Sequence, residues 1–466
     1  MDEVDFLVIG SGSGLDVANA AASRGQSVAV IEKGPMGGTC LNRGCIPSKQ
    51  LLYHAEVMET IGRAGEFGID ATVDDVAFSE IVREVNEDVA GDSESIRRGL
   101  ESSAQHTVYD GEGRFVDDRT VEIVDGPDAG ATVRGEMVLI AAGTRPSVPD
   151  INGLDEVSYL TSTEALQLTT PPEELVIIGG GYIAAELGHF FETFGSDVTI
   201  IGRRPNLLPE ADEEVAAAFT DRYADRLTLH TGHAATSVTE TGAGIEVEAR
   251  PYEYGDDGAG VHGDPVTVTG DELLLAAGRT PNTDTLNLDA AGVETDEQGY
   301  VETDEYLQTA ADGVWALGDI VGEYLLKHSA NHEAKAVVRN LFGDDPEPVE
   351  YDAMPFAVFA SPEVAGVGAT EADLDGDYAV RTYEYGDTAR GDAMHADGFV
   401  KVIIGLDGEI LGCHIIGPEA SNLIQEVVVA MTAGSGTVRD IRETIHINPA
   451  LSEVVQRAFS GSFSRP

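Results

Sequence analysis

Two glycine-rich turns, each lying between an apolar run and a run of small residues, constrain the fold of this 466-residue chain most strongly. The first turn, Gly10–Gly14, follows an apolar run that begins at Val4 and precedes a predicted helix of small residues. The next apolar run ends at Glu32. A strand, a glycine turn at a helix N-terminus and an acid after the second strand form a βαβ unit that binds dinucleotides. The third glycine of the usual GxGxxG pattern is Leu15, and we expect Gly14 to replace it one position earlier.

A second unit of the same type lies near the middle of the chain. The apolar run 175–178 leads into the turn 179–184, which matches GxGxxG/A, and the following predicted strand ends before Arg203 and Arg204. An NAD-binding protein carries an acid at this place for the ribose diol. Two guanidinium groups suit a 2′-phosphate instead, because each forms charge-assisted, forked hydrogen bonds. The pair predicts NADPH, with an ordinary surface arginine pair as the alternative.

The acidic composition limits the partners and the surroundings of the chain. It holds 83 Asp and Glu against 28 Lys and Arg, which gives a formal net charge of −55. Because these acids are spread through patterned sequence, we interpret them as a solvated surface adapted to high salt, which screens their repulsion. We therefore expect neither nucleic acid nor a membrane as a partner. With no apolar run of membrane-spanning length and no signal segment, we expect a cytoplasmic protein from a halophilic source.

A pair of cysteines, Cys40 and Cys45, stands out in a chain whose only other cysteine is Cys413. Disulfide exchange needs one thiol that attacks the substrate and a second that resolves the mixed disulfide. A zinc site needs about four nitrogen or sulfur ligands, and because no second cysteine pair exists we expect no metal. A structural disulfide or two buried thiols are the alternatives to a redox pair. We interpret Cys413, in the apolar run 410–416, as a packing residue.

The segment around the pair, Gly37–Lys49, reads GGTCLNRGCIPSK and resembles the redox-active motif of the flavin- and pyridine-nucleotide-dependent disulfide reductases. That family includes dihydrolipoamide dehydrogenase, glutathione reductase, mycothione reductase and mercuric reductase. The resemblance extends over nearly the whole chain, and further motifs carry it: GEGRF at 111–115, AAGTRP at 141–146, AAGRTP at 276–281 and the segment 309–319.

The resemblance implies an α/β fold with two Rossmann-like dinucleotide-binding domains and an α+β C-terminal dimerisation domain. The implied divisions are 1–149 and 276–345 for the two parts of the FAD-binding domain, 150–275 for the NAD(P)-binding domain and 346–466 for the dimer interface domain. In such a homodimer, the interface domain of one subunit completes the disulfide site of the other.

The resemblance also assigns two cofactor sites. The implied FAD-binding residues are Gly10, Gly12, Gly14, Glu32, Gly38, Thr39, Lys49, Gly113, Gly143, Asp319, Leu326 and His328. The implied NADP-binding residues are Gly179, Gly181, Tyr182, Ile183, Glu186, Arg203, Arg204 and Gly278. Lys49 and Glu186 resemble the ion pair beside the flavin, and Tyr182 the residue that covers it. We interpret residues 251–265, rich in Gly and Asp, as an exposed loop without function.

The acid/base of the family comes from a His-Pro motif near the C-terminus, and the matching run here is HINPALSE at 446–453. Asn448 occupies the position of the catalytic histidine, and an amide cannot take a thiol proton at neutral pH. Either His446 reaches the site by another path, or proton transfer runs through water or substrate. Glu453, which would orient the imidazole, loses that task.

We therefore expect an NADPH-dependent FAD flavoenzyme that reduces a low-molecular-weight thiol disulfide. The resemblance implies that Cys45 is the flavin-side thiolate and that Cys40 attacks the substrate. Because haloarchaea use γ-glutamylcysteine as their main small thiol, bis-γ-glutamylcystine is the first candidate substrate. Dihydrolipoamide dehydrogenase, which works with NAD and keeps the histidine, is the main alternative. Mercuric reductase, which carries vicinal cysteines at its C-terminus, and a non-catalytic flavoprotein are weaker ones.

Overall fold

The computed structural model describes residues 1–254 and 260–465, and the chain forms two compact units. The first unit comprises Met1–Gln50, Ser79–Ser147 and Gly278–Glu350. The second comprises Leu51–Phe78, Val148–Ala277 and the chain from Tyr351 onward. Each unit is thus assembled from three separate stretches of sequence.

A seven-stranded sheet forms the centre of the first unit. Its strands are β1 (Asp2–Ile9), β2 (Val28–Glu32), β3 (His106–Asp110), β4 (Gly113–Asp117), β5 (Thr120–Ile123), β6 (Thr132–Ile140) and β17 (Val314–Ala316). Neighbours follow the order β3-β2-β1-β6-β5-β4, and β17 also pairs with β6. The contacts of β1, β2, β3, β6 and β17 are parallel, whereas β4 and β5 join antiparallel. Phe6, Leu7 and Val8 on β1 are fully buried, as expected of a parallel strand covered on both faces.

A two-stranded antiparallel ribbon, β7 (Thr144–Pro146) with β16 (Arg279–Pro281), completes the strands of this unit. The helices of the whole chain are α1 (Gly14–Ala22), α2 (Gly38–Arg43), α3 (Cys45–Gly62), α4 (Phe78–Glu101), α5 (Ser162–Ala165), α6 (Tyr182–Thr193), α7 (Glu213–Ala224), α8 (Lys327–Phe342), α9 (Ala389–Ala393), α10 (Ala420–Ala433), α11 (Val438–Arg442) and α12 (Glu453–Ala458). Small buried residues, Ala18 on α1 and Ala334 on α8, belong to one core cluster with β1.

Three sheets build the second unit. A parallel sheet has the order β10-β9-β8-β15, and an antiparallel sheet joins β11 to β12, with β13 and β14 also paired to β12. The bounds are β8 (Glu174–Ile178), β9 (Asp197–Gly202), β10 (Thr228–Thr231), β11 (His233–Thr241), β12 (Gly244–Glu253), β13 (Gly260–Val261), β14 (Val266–Gly270) and β15 (Glu272–Leu275). The third sheet is antiparallel, in the order β18-β19-β22-β21-β20, with β18 (Pro355–Val358), β19 (Val364–Gly368), β20 (Tyr378–Glu384), β21 (Phe399–Gly405) and β22 (Ile410–Ile416).

The predicted fold class is confirmed, with two α/β parts built on parallel strands and an α+β C-terminal part. The packing role predicted for Cys413 agrees with its position, since it is fully buried on β22 and burial raises the pKa of its thiol. The loop predicted at 251–265 is partly wrong, because Tyr252 and Glu253 form a ladder with β13. Residues 255–259 of that prediction lie outside the described residues. In the described part of the chain, no helix is both long and apolar enough to cross a membrane.

A buried lysine joins the nucleotide-binding and C-terminal parts of the second unit. Lys401 on β21 is 2 % exposed, and its Nζ lies 2.8 Å from Asp212 Oδ1 and 2.5 Å from Glu371 Oε2. Asp212 is the N-cap of α7 and is itself 1 % exposed. Burial alone would lower the pKa of Lys401, but its hydrogen bonds to the two carboxylates raise that pKa above the usual value. Lys401 is therefore a fixed cation that joins β21 to the N-terminus of α7 and to Glu371.

Replacing Lys401 by alanine should lower the free energy of unfolding by about 3–5 kcal/mol, because it leaves the buried Asp212 carboxylate without its counter-charge. Lys335→Ala, on the exposed side of α8, is the matched control and should change stability little. Urea unfolding at one fixed salt concentration measures both. Superimposable unfolding curves for the two variants would contradict this assignment.

Candidate active site

The first glycine turn brings the backbone of one strand end against another. Gly10 follows β1 with a φ of 99°, and a Cβ there would lie 2.3 Å from the carbonyl oxygen of Ala141. At Gly14, the first residue of α1, a Cβ would lie 2.8 Å from that of Ala141, whereas the position beside Gly12 is open. Glycine is thus required at two positions for packing, and the open side of Gly12 leaves room for a pyrophosphate at the helix N-terminus. Gly14 fills the role predicted for it when Leu15 replaced the usual third glycine.

Glu32 at the end of β2 lies beside this turn. Its Oε2 accepts hydrogen bonds from the Ser11 amide at 2.8 Å and the Ser11 hydroxyl at 2.7 Å. Its Oε1 accepts the Gly34 amide at 2.8 Å. A carboxylate has about four acceptor sites, so Glu32 keeps capacity for ribose hydroxyls while it holds the turn in place.

The cysteine pair lies on two consecutive helices, and the first of them packs against the same glycine turn. Cys40 is on α2 and Cys45 is the first residue of α3, with Gly44 between the two helices. Gly38 packs against the glycine turn so closely that a Cβ there would lie 2.8 Å from the Cα of Gly12. The first of these helices begins where Gly37 and Gly38, at φ of 101° and 69°, redirect the chain. The redox segment and the dinucleotide turn are therefore one packed structure.

Both cysteines are in the thiol form in this structure. The hydrogen bond with Cys45 raises the pKa of the Cys40 thiol, burial raises it further, and the charge of Lys327 lowers it. The Lys327 Nζ donates to Ser13 Oγ at 2.7 Å, so this cation is also tied to the glycine turn. Lys327 and Ser13 were missed by the residue assignments from sequence, although a lysine at a helix start is a visible signal in a chain with few lysines. The pKa of the Cys40 thiol therefore lies above its usual value.

Asp319 lies in a hydrogen-bond network that follows Gly143. The Thr144 hydroxyl donates to Asp319 Oδ2 at 2.8 Å, and Arg279 Nε donates to the Thr144 hydroxyl at 2.6 Å. The Gly143 carbonyl accepts the Asn282 amide at 3.0 Å. This network fixes the orientation of the Asp319 carboxylate. A carboxylate that accepts hydrogen bonds from the hydroxyl groups of a cofactor needs such a fixed orientation.

All residues predicted to bind FAD belong to the first unit, as do both redox cysteines. Leu326 is the N-cap of α8, so His328 lies in its first turn, and Gly113 begins β4. The glycine cradle, the acid after β2 and the open helix N-terminus fit FAD. The individual contacts of these residues with the cofactor stay predictions.

The second glycine turn repeats this geometry in the second unit. Gly179 follows β8 with a φ of 136°, and a Cβ there would lie 2.1 Å from the Ala276 carbonyl oxygen. Gly181 is the N-cap of α6 and has open space beside it. Arg203 and Arg204 follow β9, next to this turn, where the α-carbons of Gly180 and Gly202 approach each other. The turn and the open N-terminus of α6 fit the pyrophosphate of a dinucleotide.

The remaining residues predicted for the nicotinamide site are Glu186, Tyr182, Ile183 and Gly278, with Lys49 as the predicted partner of Glu186. Glu186 on α6 is 4 % exposed, and its Oε1 accepts the Phe359 amide at 3.0 Å. Tyr182, 40 % exposed, is the first residue of α6, and Ile183 follows it. Lys49 and Gly278 belong to the first unit and Glu186 to the second, so the Lys49–Glu186 pair and the nucleotide contact of Gly278 stay predictions.

The C-terminal loop holds its three candidate residues in two separate pairs. The Asn448 amide nitrogen donates to Glu453 Oε1 at 2.8 Å. His446 Nε2 lies 2.8 Å from Glu426 Oε2, and its Nδ1 lies 3.0 Å from the Thr444 carbonyl. Both ring nitrogens of His446 are therefore engaged within its own chain, which disfavours the alternative in which His446 replaces the missing catalytic histidine.

Glu453 keeps the position of an orienting carboxylate although no imidazole is present. It is 5 % exposed, and no donor among the described residues reaches its Oε2. Because a carboxylate only accepts hydrogen bonds, the amide nitrogen of Asn448 must face Glu453 and its oxygen must face outward. Among residues 1–254 and 260–465, no group of three or more His, Cys, Asp or Glu side chains is arranged to hold a metal.

Two dinucleotide cradles and a dithiol packed on the first of them define an FAD-dependent pyridine nucleotide oxidoreductase that acts on disulfides. The chain belongs to the pyridine nucleotide-disulphide oxidoreductase family, whose model matches residues 4–336, and the dimerisation domain of that family matches residues 354–459. The protein is thus a flavoprotein disulfide reductase, and its dimerisation domain indicates a homodimer.

Individual relatives cover the chain almost completely. Mycothione reductase of Mycobacterium tuberculosis is 38 % identical over an alignment of 480 positions, which covers 99 % of this chain and 100 % of that protein. Dihydrolipoyl dehydrogenase 3 of Haloarcula marismortui is 36 % identical over 468 residues, covering 97 % and 95 %. The solved structure of the HOCl-induced flavoprotein disulfide reductase RclA from Escherichia coli has a TM-score of 0.84 at 26 % identity, covering 98 % and 99 %.

Replacing Cys40 or Cys45 by serine should abolish disulfide reduction and leave FAD bound. Because the two thiols act as one unit, the double variant should be little worse than either single variant. Turnover and flavin absorbance are the measurements, and Cys413→Ala, which removes a fully buried thiol, is the control that should keep activity. Substantial turnover in either single variant would exclude the dithiol mechanism.

Proposed function

We propose that this flavoenzyme uses NADPH to reduce the disulfide of a small thiol, with bis-γ-glutamylcystine as the preferred substrate. The observation that carries the NADPH assignment is the pair Arg203–Arg204 directly after β9, where an NAD-dependent protein has an acid. The substrate assignment rests on the acidic composition, which favours a haloarchaeal source, and on the similarity to mycothione reductase, whose name denotes a small-thiol disulfide.

The proposed roles follow from the chemistry of each group. When bound, FAD transfers reducing equivalents from the nicotinamide to the cysteine disulfide. Gly10–Gly14 and the start of α1 receive the pyrophosphate, Glu32 a ribose, and Asp319 the ribityl chain. Cys45 is the thiol on the flavin side, and Cys40 attacks the substrate, after which Cys45 resolves the mixed disulfide. The four-part division into FAD-binding, NAD(P)-binding and interface segments belongs to this proposal.

Dihydrolipoamide dehydrogenase is the second candidate, favoured by the 36 % identity to a haloarchaeal enzyme of that name. Two residues speak against it. Arg203 replaces the acid that an NAD ribose needs, and Asn448 replaces the histidine that the dihydrolipoamide reaction uses as its base. The C-terminal residues 461–466 contain no cysteine, which disfavours mercuric reductase.

A panel of disulfides tests the proposal directly. FAD-loaded protein in molar KCl is assayed for oxidation of NADPH and of NADH with bis-γ-glutamylcystine, glutathione disulfide, oxidised mycothiol and lipoamide. We expect the highest kcat/KM for NADPH with bis-γ-glutamylcystine. A highest value for lipoamide with NADH would instead establish the second candidate.

Asn448→His should restore an acid/base group at the exchange step. Such assistance is commonly worth about 10²–10⁴-fold, so turnover should rise or acquire a dependence on a group that titrates near pH ~6.5. Glu453, which already accepts a hydrogen bond from residue 448, would orient the imidazole. Reoxidation of the two-electron-reduced enzyme, followed by stopped flow over a range of pH, is the measurement.

His446→Ala is the matched comparison, since its ring is engaged with Glu426 rather than with the exchange step. It should change reoxidation far less than a catalytic histidine would. If His446→Ala alone removed reoxidation while flavin reduction stayed intact, then His446 would be the acid/base and the role assigned to position 448 would be wrong.

A further inference from the structure

The two arginines after β9 rest on tyrosine rings that come from a different strand. The Arg204 guanidinium carbon lies 4.3 Å from the ring centroid of Tyr254, and that of Arg203 lies 5.8 Å from the ring centroid of Tyr252. The two tyrosine rings meet edge to face, with centroids 4.9 Å apart at an angle of 79°. The four side chains thus form one cluster, in which the two rings support the two cations.

Backbone hydrogen bonds fix the arginine loop to the end of β12. The Gly232 amide donates to the Arg204 carbonyl at 2.8 Å, and the Tyr252 amide donates to the Gly232 carbonyl at 2.8 Å. The parallel pairing of β10 with β9 reaches Gly202 itself, opposite Thr231. The contact between arginines and tyrosines is therefore anchored by the sheet on both sides and does not depend on long side chains alone.

The guanidinium groups of this cluster differ in their partners from those of Arg97 and Arg145. Arg97 and Arg145 each hold a carboxylate through two hydrogen bonds, to Asp110 and Asp284. Neither Arg203 nor Arg204 forms a hydrogen bond or ion pair through its guanidinium with a residue that the structure describes.

We propose that Tyr252 and Tyr254 are positioning residues for the 2′-phosphate of NADPH, holding Arg203 and Arg204 by their faces so that the N–H edges point to the phosphate. The assignment rests on the proposed use of NADPH. A ring face attracts a guanidinium through its quadrupole and leaves the in-plane N–H donors of the cation unoccupied. A carboxylate would instead occupy the donors that the phosphate needs.

High salt makes this arrangement more important. At 1 M ionic strength the Debye length is about 3 Å, so long-range attraction of the phosphate to a positive patch is largely lost. What remains is direct contact, and its free energy depends on how little side-chain freedom the arginines lose on binding. Two rings that already restrict the guanidinium planes reduce that loss.

The test compares ring removal with ring retention. In FAD-loaded enzyme in molar KCl, calorimetry measures the Kd of 2′,5′-ADP, which carries the extra phosphate, and of 5′-AMP, which lacks it. We expect Tyr254→Leu to weaken 2′,5′-ADP by about two- to fivefold and to leave 5′-AMP unchanged, and the double variant Tyr252→Leu/Tyr254→Leu to weaken it further. Tyr254→Phe, which keeps the ring, should bind like the unaltered protein.

Tyr383→Leu is the matched control, because Tyr383 lies under Arg381 at 5.7 Å on β20, within a different sheet. It should not alter the ratio of the two dissociation constants. The KM ratio for NADPH and NADH should follow the binding data in every variant. Equal weakening by Tyr254→Phe and Tyr254→Leu would overturn the role of the ring face.

The double variant Arg203→Gln/Arg204→Gln separates this inference from the function on which it rests. If it abolishes the preference for 2′,5′-ADP while the tyrosine variants retain that preference in full, NADPH use stands and the positioning role is wrong. If the arginine variant leaves the preference unchanged, the NADPH assignment itself fails, and the tyrosine inference fails with it.

Discussion

Both nucleotide cradles depend on one constraint, which is the close approach between the backbone after one strand and the backbone after its parallel neighbour. At Gly10 and at Gly179 the space that a Cβ would occupy is already taken by a backbone carbonyl, of Ala141 and Ala276 respectively. Because peptide groups cannot move apart without breaking the parallel ladders beside them, only glycine with a positive φ is compatible with these positions. Each turn then delivers the N-terminus of its helix to an open space, which leaves room for the pyrophosphate of a dinucleotide.

The sequence predicted those parts of the structure whose signals are local. A strand, a turn and a helix within about 25 residues leave a pattern that can be read directly, and so the glycine turns and Glu32 were placed correctly on the fold. The cysteine segment was harder to predict, because the close approach of Gly38 to Gly12 leaves no local signal in the sequence. The ladder between β12 and β13 was missed because Gly- and Asp-rich sequence favours a loop.

Contacts between distant residues could not be predicted. Nothing near Arg204 indicates that Tyr254, 50 positions later, lies beneath its guanidinium, since that proximity arises from the order of strands in two sheets. The substitution at Asn448 was visible in the sequence, but its hydrogen bond to Glu453 and the engagement of His446 by Glu426 depend on the folded loop. The identities of these residues could therefore be read from the sequence, whereas the orientations of their side chains could not.

The packing of the cysteine segment on the first glycine turn means that one piece of backbone serves both the cofactor and the thiols. Gly37 donates to the Ser11 hydroxyl at 3.0 Å, and Ser11 in turn holds Glu32, so any rearrangement of the turn is transmitted to the helix that carries Cys40. Loss of the cofactor cannot then be a silent event for the redox pair. The chemical reactivity of the thiols therefore reports on cofactor content. A flavin-free subunit would be recognised by the altered reaction of its thiols with alkylating or oxidising agents.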